Sequence, residues 1–591
     1  MSHHLRYLIV AAFLAVSACA KDPAYKTGSA GSGGGTAGTG SGGSAGGTPV
    51  AMCSDPQPWT APAAPTTCAG AAPTASGPAE FTLAVDAGTA LGTWNRFYEK
   101  AVAVDHAHTF LCTAYGRNVQ NALRKAHAQA GFQYARFHGI FNDDVGAYKE
   151  DASGMPIYDW SGIDAIYDAV VAAGMRPMVE ISFTPKALAS DPKQIQTLLQ
   201  YAGKSPNISP PTGATGDWTK WAALMAEFVR HLEDRYGADE VRTNWYFEVW
   251  NEPSWMYSGS YFDLYKNTVA GLLQADPQLR VGGPAGSSGE SSGAIRSLIT
   301  GAFNGGIKLD FLTYHRYGDD NNAMVADVNG AVAFHKSLLS DINVTVVKGM
   351  TFTGELINNE FGPSWMPHVS RDSEVAASYI AKIIHLLGND PATPPPAGYG
   401  YWAVSDLYEE IDTGQGTAFR EGNYGLMVKG DSRYPESFDV AKPSFNAFRL
   451  LHMMGDQKLG VTGGTVTDGV GAAATRSADG HAVQVLVYNH VNGAAADSTK
   501  SNVVSLTLNN LPFTGAIRVR QYIVDRDHAN AYRAWQAITA PPTPNQAQWV
   551  KLRDAAELCY FETTAQPAAG SWTVTFPQGV YSVSLLEITA G

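Results

Sequence analysis

Between about Phe81 and Gly455, short apolar runs alternate with amphipathic segments eight times over. The runs are Lys100–Val104, Gln133–His138, Arg176–Ile181, Trp245–Trp250, Leu279–Gly283, Asp310–His315, Leu356–Glu360 and Gly400–Val404. Each has the length of a buried strand, and what separates them repeats at helical spacing. Ile163, Ile166, Tyr167, Val170 and Val171 share one face between Ser161 and Gly174. Trp221, Leu224, Met225, Phe228, Val229 and Leu232 do the same between Asp217, a fitting N-cap, and Gly237. Strands joined through helices lie parallel, and eight is the number at which such a sheet closes on itself. The expectation over residues 80–455 is therefore an α/β fold, a (β/α)8 TIM barrel.

After Gly455 the helical period gives way to strands separated by Gly, Asn and Pro. Ala482–Asn489, Val503–Leu508, Ile517–Val524, Trp572–Phe576 and Tyr581–Ile588 read as strands, with one helical stretch near Gln546–Ala556. Residues 456–591 are expected to form an all-β sandwich.

The front of the chain has a different character. Arg6 precedes an apolar stretch from Tyr7 to Val16, followed by Val16-Ser17-Ala18-Cys19. That stretch has the length of a signal-peptide core and is too short to span a bilayer. Residues 1–18 read as a lipoprotein-type signal peptide, with Cys19 the lipidated first residue of the mature chain. The expected product is exported and membrane-anchored through that lipid alone, or else secreted. Thr27 to Thr48 holds only Gly, Ser, Ala and Thr, a composition that cannot bury a core. Residues 19–79 are expected to be a flexible tether. Of the five Cys, at 19, 53, 68, 112 and 559, lipidation of the first leaves four in a compartment where disulfides persist. Cys53 and Cys68, neighbours in the tether, are the expected pair. The Cys spacings fit no zinc pattern, and no metal or cofactor is indicated. The 41 Lys+Arg against 54 Asp+Glu give a formal net charge of −13 with no basic stripe along the sequence, which disfavours nucleic acid as a partner.

Reactive groups in such barrels sit at the C-terminal ends of the strands. The fourth run ends Glu248-Val249-Trp250-Asn251-Glu252-Pro253. Glu252, among Trp245, Trp250 and Trp255, is placed for desolvation, which raises a carboxyl pKa and suits a general acid. Glu248, four residues earlier, is a weaker candidate. The seventh run ends Asn358-Asn359-Glu360-Phe361-Gly362-Pro363, which sets a second carboxyl on the same rim. Glu355 competes with it but begins the run and is expected to be buried at the far end. Two such carboxyls are the minimal apparatus of glycoside hydrolysis.

Five segments carry a further resemblance: Tyr134–Asp144, Pro177–Ala187, Trp245–Pro253, Tyr401–Glu410 and Lys442–Phe448. In this order they resemble glycoside hydrolase family 39, the retaining family that includes β-xylosidases and α-L-iduronidases. The resemblance implies that Glu252 is the acid/base, Glu360 the nucleophile and Asn251 a partner of the sugar 2-hydroxyl. It implies that His138, His315, Tyr317 and Trp402 line the sugar pocket, with Glu409 and Glu410 at the outer hydroxyls. It also implies that the segment near Phe81–Ala90 adds a strand to the accessory sandwich. Xylosidases of the family usually flank the nucleophile with Thr and Trp; here Asn359 and Phe361 do so, as on the iduronidase side. No cluster of Lys or Arg at the pocket announces a uronate carboxylate. The expected activity is a retaining, β-xylosidase-like hydrolysis of an oligo- or polysaccharide. Hydrolysis of a uronate-containing or exopolysaccharide glycan, and a non-catalytic cell-surface carbohydrate-binding protein, stand as alternatives.

Overall fold

The computed structural model describes residues 63–591 apart from 112–115, 198–204, 290, 321–323, 391, 407–423, 432 and 466–467. The signal peptide, Cys19, Cys53, Cys112, Glu409 and Glu410 lie outside the described residues.

Eight parallel strands form a closed barrel: Ala101–His106, Tyr134–His138, Arg176–Ile181, Tyr246–Val249, Val281–Gly286, Phe311–His315, Glu355–Phe361 and Gly398–Tyr401. Each pairs with its successor, and Tyr401 of the eighth against Val102 of the first closes the ring. Helices cross between them on the outside. The helix Thr219–Tyr236 shows why they form. Its buried residues Trp221, Leu224, Met225, Phe228, Val229 and Leu232 make one continuous stripe, and Gly237, at φ 92°, ends it. Burying each large apolar side chain of that stripe contributes about 1.5–3 kcal/mol. Asp217 accepts the backbone N–H of Thr219 at 2.9 Å, at the entrance to this helix.

The barrel interior changes character along its axis. At the N-terminal end Ala101, Tyr134, Met178, Tyr246, Phe311 and Ile357 form an apolar plug. Glu355 lies at this end, as expected, but its side chain is 36% exposed rather than buried. It accepts from the Tyr246 hydroxyl at 2.7 Å and pairs with Lys100 at 3.4 Å, far from the opposite rim. Above the plug the interior turns charged, with Arg136, Glu180 and Glu248 all fully buried.

Apart from a two-stranded ribbon that pairs Tyr148–Glu150 with Pro156–Tyr158, the remaining strands form one ten-stranded sheet around a second core. The segment Phe81–Thr93 belongs to it, pairing in parallel with Val504–Asn509 and antiparallel with Gln457–Gly463. The barrel thus begins at Ala101. Strand Ala482–His490 explains how the two parts meet. Val483, Val485 and Val487 enter the sandwich core, while Leu486 and Tyr488 join the core shared with the barrel. Helix Glu374–Asn389 lies on that outer face, with Ser378 bonded to His490 and His385 to the Tyr488 hydroxyl.

The end of the expected tether is ordered. Thr66–Thr67 pairs in parallel with Cys559–Tyr560, and Cys68 forms a disulfide with Cys559. The Cys53–Cys68 expectation is therefore corrected. Proximity in sequence favoured it, but the short strand carries Cys68 to the sheet edge, where its Cα lies 4.9 Å from that of Cys559.

Candidate active site

The fourth strand ends in a turn that no regular strand makes. Trp250 and Glu252 both adopt positive φ, at 72° and 41°. Left-handed backbone costs a non-glycine residue on the order of 1–3 kcal/mol, and persists only where its surroundings hold it. The Trp250 indole N–H donates to the Met256 carbonyl at 2.9 Å, and the Glu252 N–H to the Ala285 carbonyl at 3.0 Å. Pro253 then opens the short helix Pro253–Met256, where its missing N–H costs nothing. The turn leaves the Glu252 side chain 14% exposed at the mouth.

The seventh strand supplies the second carboxyl through a bulge. Ile357 joins the interior plug and the Asn359 amide donates to Glu248 at 2.6 Å, so both point inward. Strict alternation would send Glu360 out and Phe361 in. Instead the register shifts between Asn358 and Phe361. Phe361 packs outside among Tyr399, Tyr401 and Phe448, and Glu360 turns inward, its side chain 8% exposed. Bulges re-aim side chains in this way beside active sites.

The two carboxyls converge. A Glu252 oxygen, a Glu360 oxygen and a ring nitrogen of His315 all lie within 4.8 Å of one another. His315 Nδ1 is 2.7 Å from Glu252 and 3.4 Å from Glu360. Burial holds this imidazole below its ordinary pKa despite the nearby Glu360 charge, and its Nε2 has no hydrogen-bond partner among the described residues.

The environments of the two glutamates differ in kind. Glu252 accepts the Trp255 indole N–H at 2.5 Å. Burial pushes its pKa up to about 7, against the lowering pull of that bond and of Arg136. Glu360 instead accepts from Arg136 and from the Tyr317 hydroxyl, each at 2.8 Å. The Arg371 guanidinium lies 3.9 Å over the Tyr424 ring and 5.5 Å over the Tyr317 ring, and donates to the Trp402 carbonyl at 3.2 Å.

The structure brings Asn251, His138, His315, Tyr317 and Trp402 together around this pair. The Asn251 carbonyl accepts from Arg136 at 2.7 Å, while among the described residues its amide nitrogen meets only the Met256 sulfur, at 3.3 Å, a weak acceptor. His138 bonds Glu180 through Nδ1 at 2.7 Å and holds Nε2 3.8 Å from Glu360. Burial, the largest influence, keeps it well below its ordinary pKa. Its ring lies against Trp402 at 4.7 Å. Glu248 is fully buried and bonded to Arg136 at 2.6 Å.

Sequence reasoning left out Arg136 and Glu180. Arg136 bonds Glu248, Glu360, Asn251 and Glu180 at 2.6–2.8 Å. Burial opposes its charge, but the three carboxylates outweigh this and raise its pKa. The available signal was a charge set between apolar neighbours within each run: Arg136 between Ala135 and Phe137, and Glu180 between Val179 and Ile181.

The sequence profile of glycosyl hydrolases family 39 matches residues 81–573. The chain belongs to that family. It is a glycosidase. A β-xylosidase of Caldicellulosiruptor saccharolyticus is 29% identical over 517 residues, covering 86% of this chain and 98% of the relative. The human α-L-iduronidase is 25% identical over 404 residues, 63% of this chain and 60% of the relative. The crystal structure of a monomeric β-xylosidase from Caulobacter crescentus CB15 superposes with a TM-score of 0.71 at 27% identity, covering 86% of this chain and 99% of that one.

Proposed function

We propose that this family 39 enzyme is a retaining β-xyloside hydrolase, with Glu252 as acid/base and Glu360 as nucleophile. One observation carries the reading: two carboxyls whose facing oxygens lie within 4.8 Å, one desolvated and one held by cationic and hydroxyl donors. Retaining pairs sit about 5–5.5 Å apart, whereas inverting pairs need about 6.5–9.5 Å to admit a water. In the first step Glu360 attacks the anomeric carbon while protonated Glu252 gives its proton to the leaving oxygen. In the second, ionised Glu252 takes a proton from water as that water displaces Glu360. The Asn251 amide is free to donate to the 2-hydroxyl, a bond that strengthens as positive charge develops on the ring.

Xylosides are favoured over uronides by the cation nearest the nucleophile. Four acceptors already share the five N–H groups of Arg136, and its side chain is fully buried. It has little left to offer a substrate carboxylate. The test is a panel of aryl β-xyloside, α-L-arabinofuranoside, β-glucoside and α-L-iduronide. The highest kcat/KM is expected on the xyloside, and a clear preference for the iduronide overturns the sugar assignment.

The acid's environment sets a pH dependence. The form that works in the first step is protonated Glu252, so kcat/KM is expected to fall as pH rises through about 7. A pH–rate profile of wild type against Glu252→Gln checks this: the variant loses the alkaline limb assigned to that group.

We also propose that the enzyme is a lipoprotein, exported and tethered through Cys19. The lipobox-like Val16-Ser17-Ala18-Cys19 and the Gly/Ser/Ala/Thr tract behind it support this. Cys19→Ser is expected to move active enzyme from the membrane to the soluble fraction. Unchanged membrane association contradicts lipidation and leaves the catalytic reading intact.

A further inference from the structure

Trp365 is the only exposed tryptophan among the described residues, at 49% of its full accessibility. It follows the nucleophile by five positions, in the turn that leaves the seventh strand. Its exposure is built rather than accidental. The Trp365 N–H donates to Asp319 at 2.7 Å, and its carbonyl accepts the Tyr424 hydroxyl at 2.7 Å. Ser364 ties the same turn to Asp319 at 2.6 Å. Both anchors belong to the pocket wall. Asp319 lies two residues beyond Tyr317, which bonds Glu360. Tyr424 packs in one apolar cluster with Tyr317 and Trp402. The indole is thus held in water at the rim, and exposed Met366 continues the apolar surface beside it.

The interior beneath Glu360 is closed by buried Arg136 and Glu248. The part of a substrate beyond the scissile bond therefore has to leave through the mouth, over this rim. A pyranose presents a face of C–H groups with its hydroxyls around the edge. An indole half in water covers that face while the hydroxyls stay hydrated, the usual reason an amphipathic aromatic is kept at a wet binding surface.

We propose that Trp365, extended by Met366, is a stacking platform for the leaving-group sugar, a subsite that selects glycosides continuing into a further pyranose. The proposal rests on the glycosidase reading of Glu252 and Glu360. Its test compares xylobiose, which has a leaving-group sugar, with xylosyl fluoride, which has none, in wild type, Trp365→Ala and Trp365→Phe. The readout is the ratio of the two kcat/KM values. Trp365→Ala is expected to lower the ratio by about tenfold and Trp365→Phe by less, since a lost apolar contact in a specificity pocket costs roughly tenfold or more. A ratio unchanged in Trp365→Ala overturns the platform, whether both substrates slow together or neither does. A wild type inactive on both compounds contradicts the xyloside reading instead. The same comparison is then made with the fluoride and disaccharide of the sugar the aryl panel identifies.

Discussion

Glu360→Ala is expected to remove turnover of every substrate, with kcat/KM falling by at least roughly 10⁴-fold, in the range seen for lost covalent nucleophiles. Arg136 and the Tyr317 hydroxyl, which bond this carboxylate at 2.8 Å, then face a cavity. Arg136 keeps Glu180 and Glu248 as partners, so the barrel is expected to stay folded, which a thermal melt checks. An anion that fills the cavity attacks the anomeric carbon from the nucleophile's side. Azide is therefore expected to restore turnover of activated aryl glycosides and to give the glycosyl azide of inverted configuration.

Glu252→Ala should behave differently, because the missing group serves both steps. Natural glycosides, whose leaving groups need protonation, are expected to lose about 10²–10⁴-fold in rate, the contribution typical of a general acid–base. Aryl glycosides with good leaving groups should still form the glycosyl-enzyme and then stall, since no base activates water. Azide needs no base, and here it should yield the retained glycosyl azide. The opposite pattern of azide products in the two variants means that the roles are exchanged. A loss below about tenfold in both, well short of that range, places the active site elsewhere.

Much of this was legible in the chain because the hydrophobic period changes where the architecture does. The eight barrel strands fall on the eight apolar runs, and the helix Gln546–Ala556 lies where its pattern placed it. Strands Gln457–Gly463 and Gly469–Arg476 were missed because sequences such as Gly-Val-Gly-Ala-Ala-Ala show no alternation. Their strand character comes from neighbours that pair with them. The Cys68–Cys559 bond joins residues 491 apart, and only the assembled sheet edge brings them together. At the site, residue types at strand ends pointed to Glu252 and Glu360. The bulge at Asn358–Phe361 and the left-handed turn at Trp250–Glu252, which aim them at one another, arise from backbone held by the fold. Arg136 reads in the sequence equally well as a barrel-interior ion pair, and only its four partners tie it to the site.

The central claim, a covalent glycosyl-enzyme on Glu360, is tested most directly by trapping it. A 2-deoxy-2-fluoro-xyloside with an activated leaving group should transfer its fluoroxylosyl group to the enzyme as the leaving group departs, and the adduct should persist because the fluorine slows the second step. Mass spectrometry of the intact protein is expected to show one added fluoroxylosyl group, and peptide mapping to place it on Glu360. An adduct on Glu252, or no adduct while the same compound is turned over with inversion, contradicts the account.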